Sequence, residues 1–330
     1  MDRRTLLSRF AACVGAGTST LSVAASPPRA TRRLAVLLFD EPAGWDWLGP
    51  ELRDELAELG WIEGKNLSVQ WNYANSDVAR LHSLAAAIVA SAPDVILTRG
   101  TPATRALQSA TKTIPIVTGV GDPIGSGFAS TYAGPAGNIT GISFAVVESS
   151  QKCVEFLRLL VPGLSHLIAV LQADRAPFRQ EWLRPMEAAA RAAGVTMQPA
   201  LVANLGELKA ALRIDAARGR TGALMSNLGP EVGRSFEAVA AVALEARMPT
   251  MFEHRGFVDA GGLASYRLVW ERQTQRTAAQ IDKLFRGAAA GKLPFELPTR
   301  QELVVNLKTA RALGLTVPQS LLVRADAIVE

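Results

Sequence analysis

Residues 94–118 read DVILTRGTPATRALQSATKTIPIVT, and the order of apolar and polar residues along them decides the fold class. Residues 94–98 (DVILT) form a short, nearly continuous apolar run, as a strand buried on both faces requires. Gly100-Thr101-Pro102 then ends the strand and opens a helix, with Pro in the first turn, where its missing N–H removes no intrahelical bond. Residues 114–118 (IPIVT) are apolar again. Strand, helix and strand at this spacing predict an α/β protein, a parallel sheet covered by helices on both faces.

The same alternation extends outward in both directions. Upstream, residues 34–39 (LAVLLF) and 66–71 read as strands. Residues 48–59, stopped by Gly60, and 78–91 read as helices. Residues 139–144 add a fifth strand, and then the pattern begins again. Strands are expected at 167–171, 195–202, 222–226, 249–252 and 262–266, with helices at 154–160, 181–193, 205–217, 232–246 and 270–285. After a Gly/Ala/Pro-rich linker, residues 287–298, the tail adds a strand at 303–307 and short helices at 308–312 and 319–326. A chain of 330 residues suits two domains. The reading is therefore two doubly wound lobes with a hinge, 33–143 plus 267–286 and 144–266 plus 299–330. Ligands of open α/β sheets bind at the carboxyl ends of strands, so the cleft between two such edges is the expected site.

The N-terminus carries the pair Arg3-Arg4 ahead of an uncharged stretch, residues 10–25, rich in Ala, Gly, Ser and Thr. The stretch is too short and too weakly apolar to span a membrane, and it ends in Val23-Ala24-Ala25-Ser26, a small-residue run that fits signal-peptidase cleavage after Ala25. Residues 1–25 are thus read as a signal peptide, of twin-arginine type with the Sec route left open, and the mature chain as periplasmic. Part of the net charge of +5 sits in this leader, and no later Lys/Arg run is interleaved with aromatics, so nucleic acid is not an expected partner. Of two cysteines, Cys13 would leave with the leader. Cys153, in a helical pattern, reads as a core thiol.

Enzyme signatures are missing. Gly119-Val120-Gly121 is followed by Asp122-Pro123, which does not open a dinucleotide-type turn, and there is no P-loop and no Gly-x-Ser-x-Gly elbow. His82, His166 and His254 stand apart, without metal-ligand spacing. No catalytic residue, metal or cofactor is expected. The loops after the strands carry the ligand candidates instead. Gly100, Thr101 and Thr104 start a helix whose free N–H groups and hydroxyls suit a carboxylate, although Thr101 serves equally as an N-cap. Gly121 lets backbone approach a ligand, and Asp122 places a carboxylate where an ammonium would bind or where it caps a short helix after Pro123. Trp45 suits stacking on a flat ligand, and Asn227, Glu253, His254 and Tyr266 end strands of the second lobe.

Several of these segments resemble one family. They are 113–117 (TIPIV), 121–125 (GDPIG), 137–141 (GNITG), 59–66 (LGWIEGKN), 257–266 (FVDAGGLASY), and a tail running from 305–310 (VNLKTA) to 324–326 (RAD). In this order they are similar to the ABC-type uncharacterised-transporter substrate-binding proteins, across nearly the whole mature chain. The resemblance implies a type I periplasmic binding protein fold, a small-molecule ligand, an ABC permease at the inner membrane as partner, and no chemistry on the ligand. Some members of the family take aromatic amino acids. This chain departs from the pattern at Phe39-Asp40-Glu41-Pro42, at Arg267 after Ser265-Tyr266, and at residues 293–298 (LPFELP), and the first two departures lie near the presumed cleft. A ligand sensor for a membrane receptor would use the same lobes, and a neighbouring permease and ATPase gene pair would decide for import. A regulator of the LacI type would need a DNA-binding helix-turn-helix where the leader stands.

Overall fold

The computed structural model describes residues 31–330 apart from 45–47, 136, 174–175, 217–220, 226–227, 229–231, 233–234 and 270–271. The expected cleavage site after Ala25 and the candidates Trp45 and Asn227 lie outside the described residues.

The first run of elements is β1 (Arg32–Leu38), α1 (Leu48–Glu58), β2 (Leu67–Tyr73), α2 (Val78–Ala90), β3 (Val95–Arg99), α3 (Thr101–Ala110), β4 (Ile116–Val120), β5 (Ile139–Ser143) and α4 (Val146–Leu160). Next come β6 (His166–Gln172), α5 (Ala176–Ala192), β7 (Thr196–Val202), α6 (Leu205–Ala216), β8 (Thr221–Met225), α7 (Phe236–Glu245), β9 (Thr250–Phe252), α8 (Arg255–Asp259) and β10 (Ala264–Leu268). The chain ends with α9 (Gln273–Phe285), β11 (Gln301–Asn306), α10 (Leu307–Ala312), α11 (Gln319–Leu322) and β12 (Ala327–Val329).

Two sheets form the two lobes. The first has strand order β2-β1-β3-β4-β5, all parallel; the second has order β12-β11-β10-β9-β8-β6-β7, parallel except for the β10–β11 pair. The alternation along β1 shows why both faces are covered. Leu34, Val36 and Leu38 pack with Leu52 of α1 and Ile281 of α9, whereas Ala35 and Leu37 pack with Leu81 of α2 and Leu107 of α3. In the second sheet Leu167, Ala169 and Leu171 of β6 face α4 and α5, and Ile168 and Val170 face α6 and α7.

The chain passes between the lobes three times: after β5 into α4, between β10 and α9, and through residues 286–300 into β11. The last passage is stitched to the first sheet. Ser143 N donates to Glu296 O at 2.9 Å, Glu296 N donates to Gly141 O at 2.9 Å, and Arg276 of α9 pairs with the Glu296 carboxylate at 2.6 Å. Across the lobes, α3 also comes into contact with α5.

Several boundaries correct the sequence reading. The helix expected at 270–285 starts only at Gln273, and Arg267 and Leu268, assigned with it to the first lobe, instead extend β10 opposite Glu302 and Gln301 of β11. Helix α4 begins at Val146, eight residues before the expected start. The last helix stops at Leu322, and residues 327–329 form β12 at the sheet edge beside β11. No helix of the described residues is long and apolar enough to cross a membrane.

Candidate functional site

At the carboxyl edge of the first sheet, the ends of β3 and β4 lie side by side. Gly100 N donates to Gly119 O at 2.8 Å. Gly100, not Thr101, is the N-cap of α3, and it holds φ 81°, a conformation that glycine adopts without strain. Thr101 becomes the first helical residue, and its hydroxyl is buried without a hydrogen-bond partner. Thr104 is fully buried and braces the loop: its hydroxyl bonds Gly100 O at 2.9 Å and Thr118 Oγ1 at 2.6 Å.

Gly121 is buried after β4, and its carbonyl accepts from Val146 N at 3.2 Å and from Ser143 Oγ at 3.3 Å, tying this loop to the start of α4. Asp122 is half-buried. One of its oxygens accepts from Gly125 N at 2.8 Å, closing a turn and not the short helix that was one of its two readings. Tyr132, from the loop before β5, donates its hydroxyl to Glu148 Oε1 at 3.4 Å, while Glu148 Oε2 is buried without a partner. Burial, and after it the neighbouring Glu148, holds the Tyr132 phenol above its usual range, with Asp122 adding to the effect. Asp122 and Glu148 thus both act on one tyrosine, near where the chain first leaves the first lobe.

The second lobe presents Glu253 and His254 just after β9, whereas Tyr266, expected to end a strand, lies in the middle of β10 opposite Leu303 of β11, because the strand runs on through Arg267 and Leu268. His254 is exposed, caps α8 by accepting from Gly256 N at 3.1 Å, and stacks on Phe236 at 4.6 Å. Tyr266 donates to Gln301 and meets Phe156 edge-on at 5.2 Å. Burial, followed by the nearby Cys153, pushes its phenol up to about 12. Glu253 lies close enough to Cys153 to add to the burial that pushes the thiol up to about 12. Tyr266 apart, the described candidates therefore lie in two groups, after β3 and β4 of the first sheet and after β9 of the second.

Sequence reasoning missed Arg99, Tyr132 and Glu148. Arg99 had a visible signal, a lone charge ending the apolar run VILT. Its guanidinium lies over the Phe144 ring at 5.1 Å, and burial lowers its pKa to about 10. Among the described residues no three His, Cys, Asp or Glu side chains gather where a metal ion would bind.

A family model described as ABC transporter substrate binding protein matches residues 34–329. A tyrosine-binding protein of Clostridioides difficile (strain R20291) is 23% identical over 261 residues, 79% of this chain and 74% of that protein. The fold aligns with the ABC domain from Streptococcus pneumonia solved in complex with L-Trp, at TM-score 0.69 and 23% identity, over 91% of this chain and 100% of that one. It also aligns with the ligand-free, open structure of a Clostridium difficile substrate binding protein with adhesive properties, at TM-score 0.64 and 20% identity, over 91% and 99% of the two chains.

Proposed function

The chain belongs to the ABC transporter substrate-binding protein family, and from that premise we propose that it is the periplasmic receptor of an importer, capturing an amino acid between its lobes. The observation that carries this reading is the pairing of opposite chemistries at one sheet edge. The start of α3 offers free backbone N–H groups and the unpartnered Thr101 hydroxyl, which suit a carboxylate. Asp122 and Glu148, with a buried carboxylate oxygen that has no partner, suit an ammonium. A zwitterion satisfies both, and a sugar satisfies neither charge. The relatives' own ligands, tyrosine in one and L-Trp in another, belong to the same class.

On this reading the second lobe closes over the ligand with Glu253 and His254 from the end of β9, and the closed form is what the membrane permease engages. No bond of the ligand is made or broken. Residues 1–25 act as the export signal, so protein recovered from the periplasm begins near Ser26 by intact mass.

Titration calorimetry with L-tyrosine, L-tryptophan and D-glucose tests the ligand class. The expected result is saturable binding of an amino acid, with glucose silent. A charge-assisted hydrogen bond contributes roughly 1.5–3 kcal/mol, so Asp122→Asn weakens binding about tenfold or more. Binding of glucose alone would contradict the reading.

A further inference from the structure

Among the described residues, six other than glycine hold a left-handed backbone: Asn75, Ser76, Ala92, Ala145, Arg247 and Arg272. Asn75 and Ser76 form a turn, and Ala92 and Arg247 follow the ends of α2 and α7, where a left-handed residue is a usual stop. Ala145 and Arg272 differ. Each is the N-cap of a helix, α4 and α9, a position that normally holds an extended backbone. Both also stand on the passages between the lobes, Ala145 on the first and Arg272 on the second.

Ala145 has φ 47° and ψ 43° and is 3% exposed. The conformation is unfavourable for alanine, because its Cβ crowds the following carbonyl oxygen. Bonds on both sides of it to first-lobe backbone hold it there. Phe144 N donates to Val120 O at 2.7 Å, and Val146 N donates to Gly121 O at 3.2 Å. Ala145 N donates to Ser143 Oγ at 3.1 Å, and Ala145 O accepts from Ser149 N of α4 at 2.9 Å. Further along α4, Val154, Phe156 and Leu157 lie in the core of the second lobe. The change from one lobe to the other therefore falls on Ala145. Strained backbone persists only where its surroundings fix it, and such residues gather where a structure switches. Rotating α4 with the second lobe against the first turns the torsions of the residue between them.

We propose that Ala145 is the strained pivot of the hinge, a positioning residue that sets the balance between two lobe arrangements without touching the ligand, with Arg272 turning on the second passage. By disfavouring the arrangement seen here, its side chain keeps the other populated and tunes the affinity of a ligand that bridges the lobes. The pivot rests on the hinge and not on the identity of the ligand.

Double electron–electron resonance on the full chain reads the lobe separation without any ligand. Nitroxides are placed at Lys112→Cys in the first lobe and Arg191→Cys in the second, both exposed positions, with Cys13→Ala and Cys153→Ala removing the native thiols. Glycine takes the left-handed region freely and valine avoids it. The separation of this structure should be most populated in Ala145→Gly and least in Ala145→Val. The ratio of the two arrangements should move about fivefold or more between these variants. Equal distributions in the two, or the reverse order, overturn the pivot. Should Ala145→Val fail to fold, Ala145→Gly against the alanine parent decides by the same criterion. Ala92→Gly relieves a left-handed alanine away from the passages; a shift as large there also overturns the pivot. Calorimetry with L-tyrosine keeps the two readings apart. Tyrosine binding with unmoved distances overturns the pivot and leaves the amino-acid reading standing. Moved distances in a protein that takes no amino acid do the reverse.

Discussion

Cys153 sits in α4 with its thiol pushed up to about 12, first by burial and then by the Glu253 carboxylate. The thiolate is the reactive form, so the folded protein resists iodoacetamide at neutral and mildly alkaline pH and is labelled readily once unfolded in urea. Mass spectrometry after timed labelling checks this, and rapid labelling of the native chain would contradict it. The same shift sets a pH dependence. The thiol keeps its proton in the fold above its ordinary value of 9.0, where the unfolded chain has already lost its own. Its contribution to stability is therefore complete below pH 9.0 and falls as pH rises toward about 12. Arg99, lowered to about 10, acts in the opposite direction, but only above that value. Urea midpoints should decline on passing from neutral pH to just below 10, and Cys153→Ala should flatten that decline. At this scale, Gly100, Thr101, Gly121 and Asp122 were legible because Gly and Pro punctuate the ends of apolar strands. Glu148 was not, because an acidic residue in a first helical turn reads as dipole compensation.

The elements that define the first lobe include one that returns from far along the chain. Helix α9 is anchored by Trp61, which is 2% exposed, donates to Asp282 at 2.8 Å and meets Phe285 edge-on at 5.0 Å. Trp61→Ala removes that anchor and leaves a cavity, so it should cost about 3–5 kcal/mol, measured by urea unfolding. A loss within experimental error would mean that α9 is held by other contacts. Gly141 in β5 is a second sensitive point. It has φ 153°, and a Cβ there would lie 1.8 Å from Thr118 O, so Gly141→Ala should disturb the β4–β5 pairing. The apolar runs that became central strands were legible because burial on both faces leaves them little choice of residue. The start of α4 was not, since Val146-Val147 and Ser149-Ser150 are weak helix formers held in place by tertiary contacts. Strand β12 is three residues long and acquires its structure only by lying beside β11, which no local pattern announces.

For the whole molecule, two lobes joined by three passages of chain make a hinge, not a loose tether. The third passage is bonded to β5 and α9 through Glu296, so the lobes should move as rigid bodies about these passages. A ligand closes such a hinge only if it touches both lobes, because it shifts the equilibrium by its differential affinity for the closed form. On the proposed function, the candidates after β3 and β4 in one lobe and after β9 in the other make those contacts. The alternation of elements was enough to read two lobes from the sequence, since each half repeats the same order. The ligand was not legible, because its recognition rests on side chains whose burial and bonding are decided by the assembled fold. Small-angle X-ray scattering of the full chain, with and without an amino acid whose binding calorimetry has established, tests the central claim most directly. The account predicts a smaller radius of gyration in the bound state, and an unchanged radius at full occupancy would contradict it.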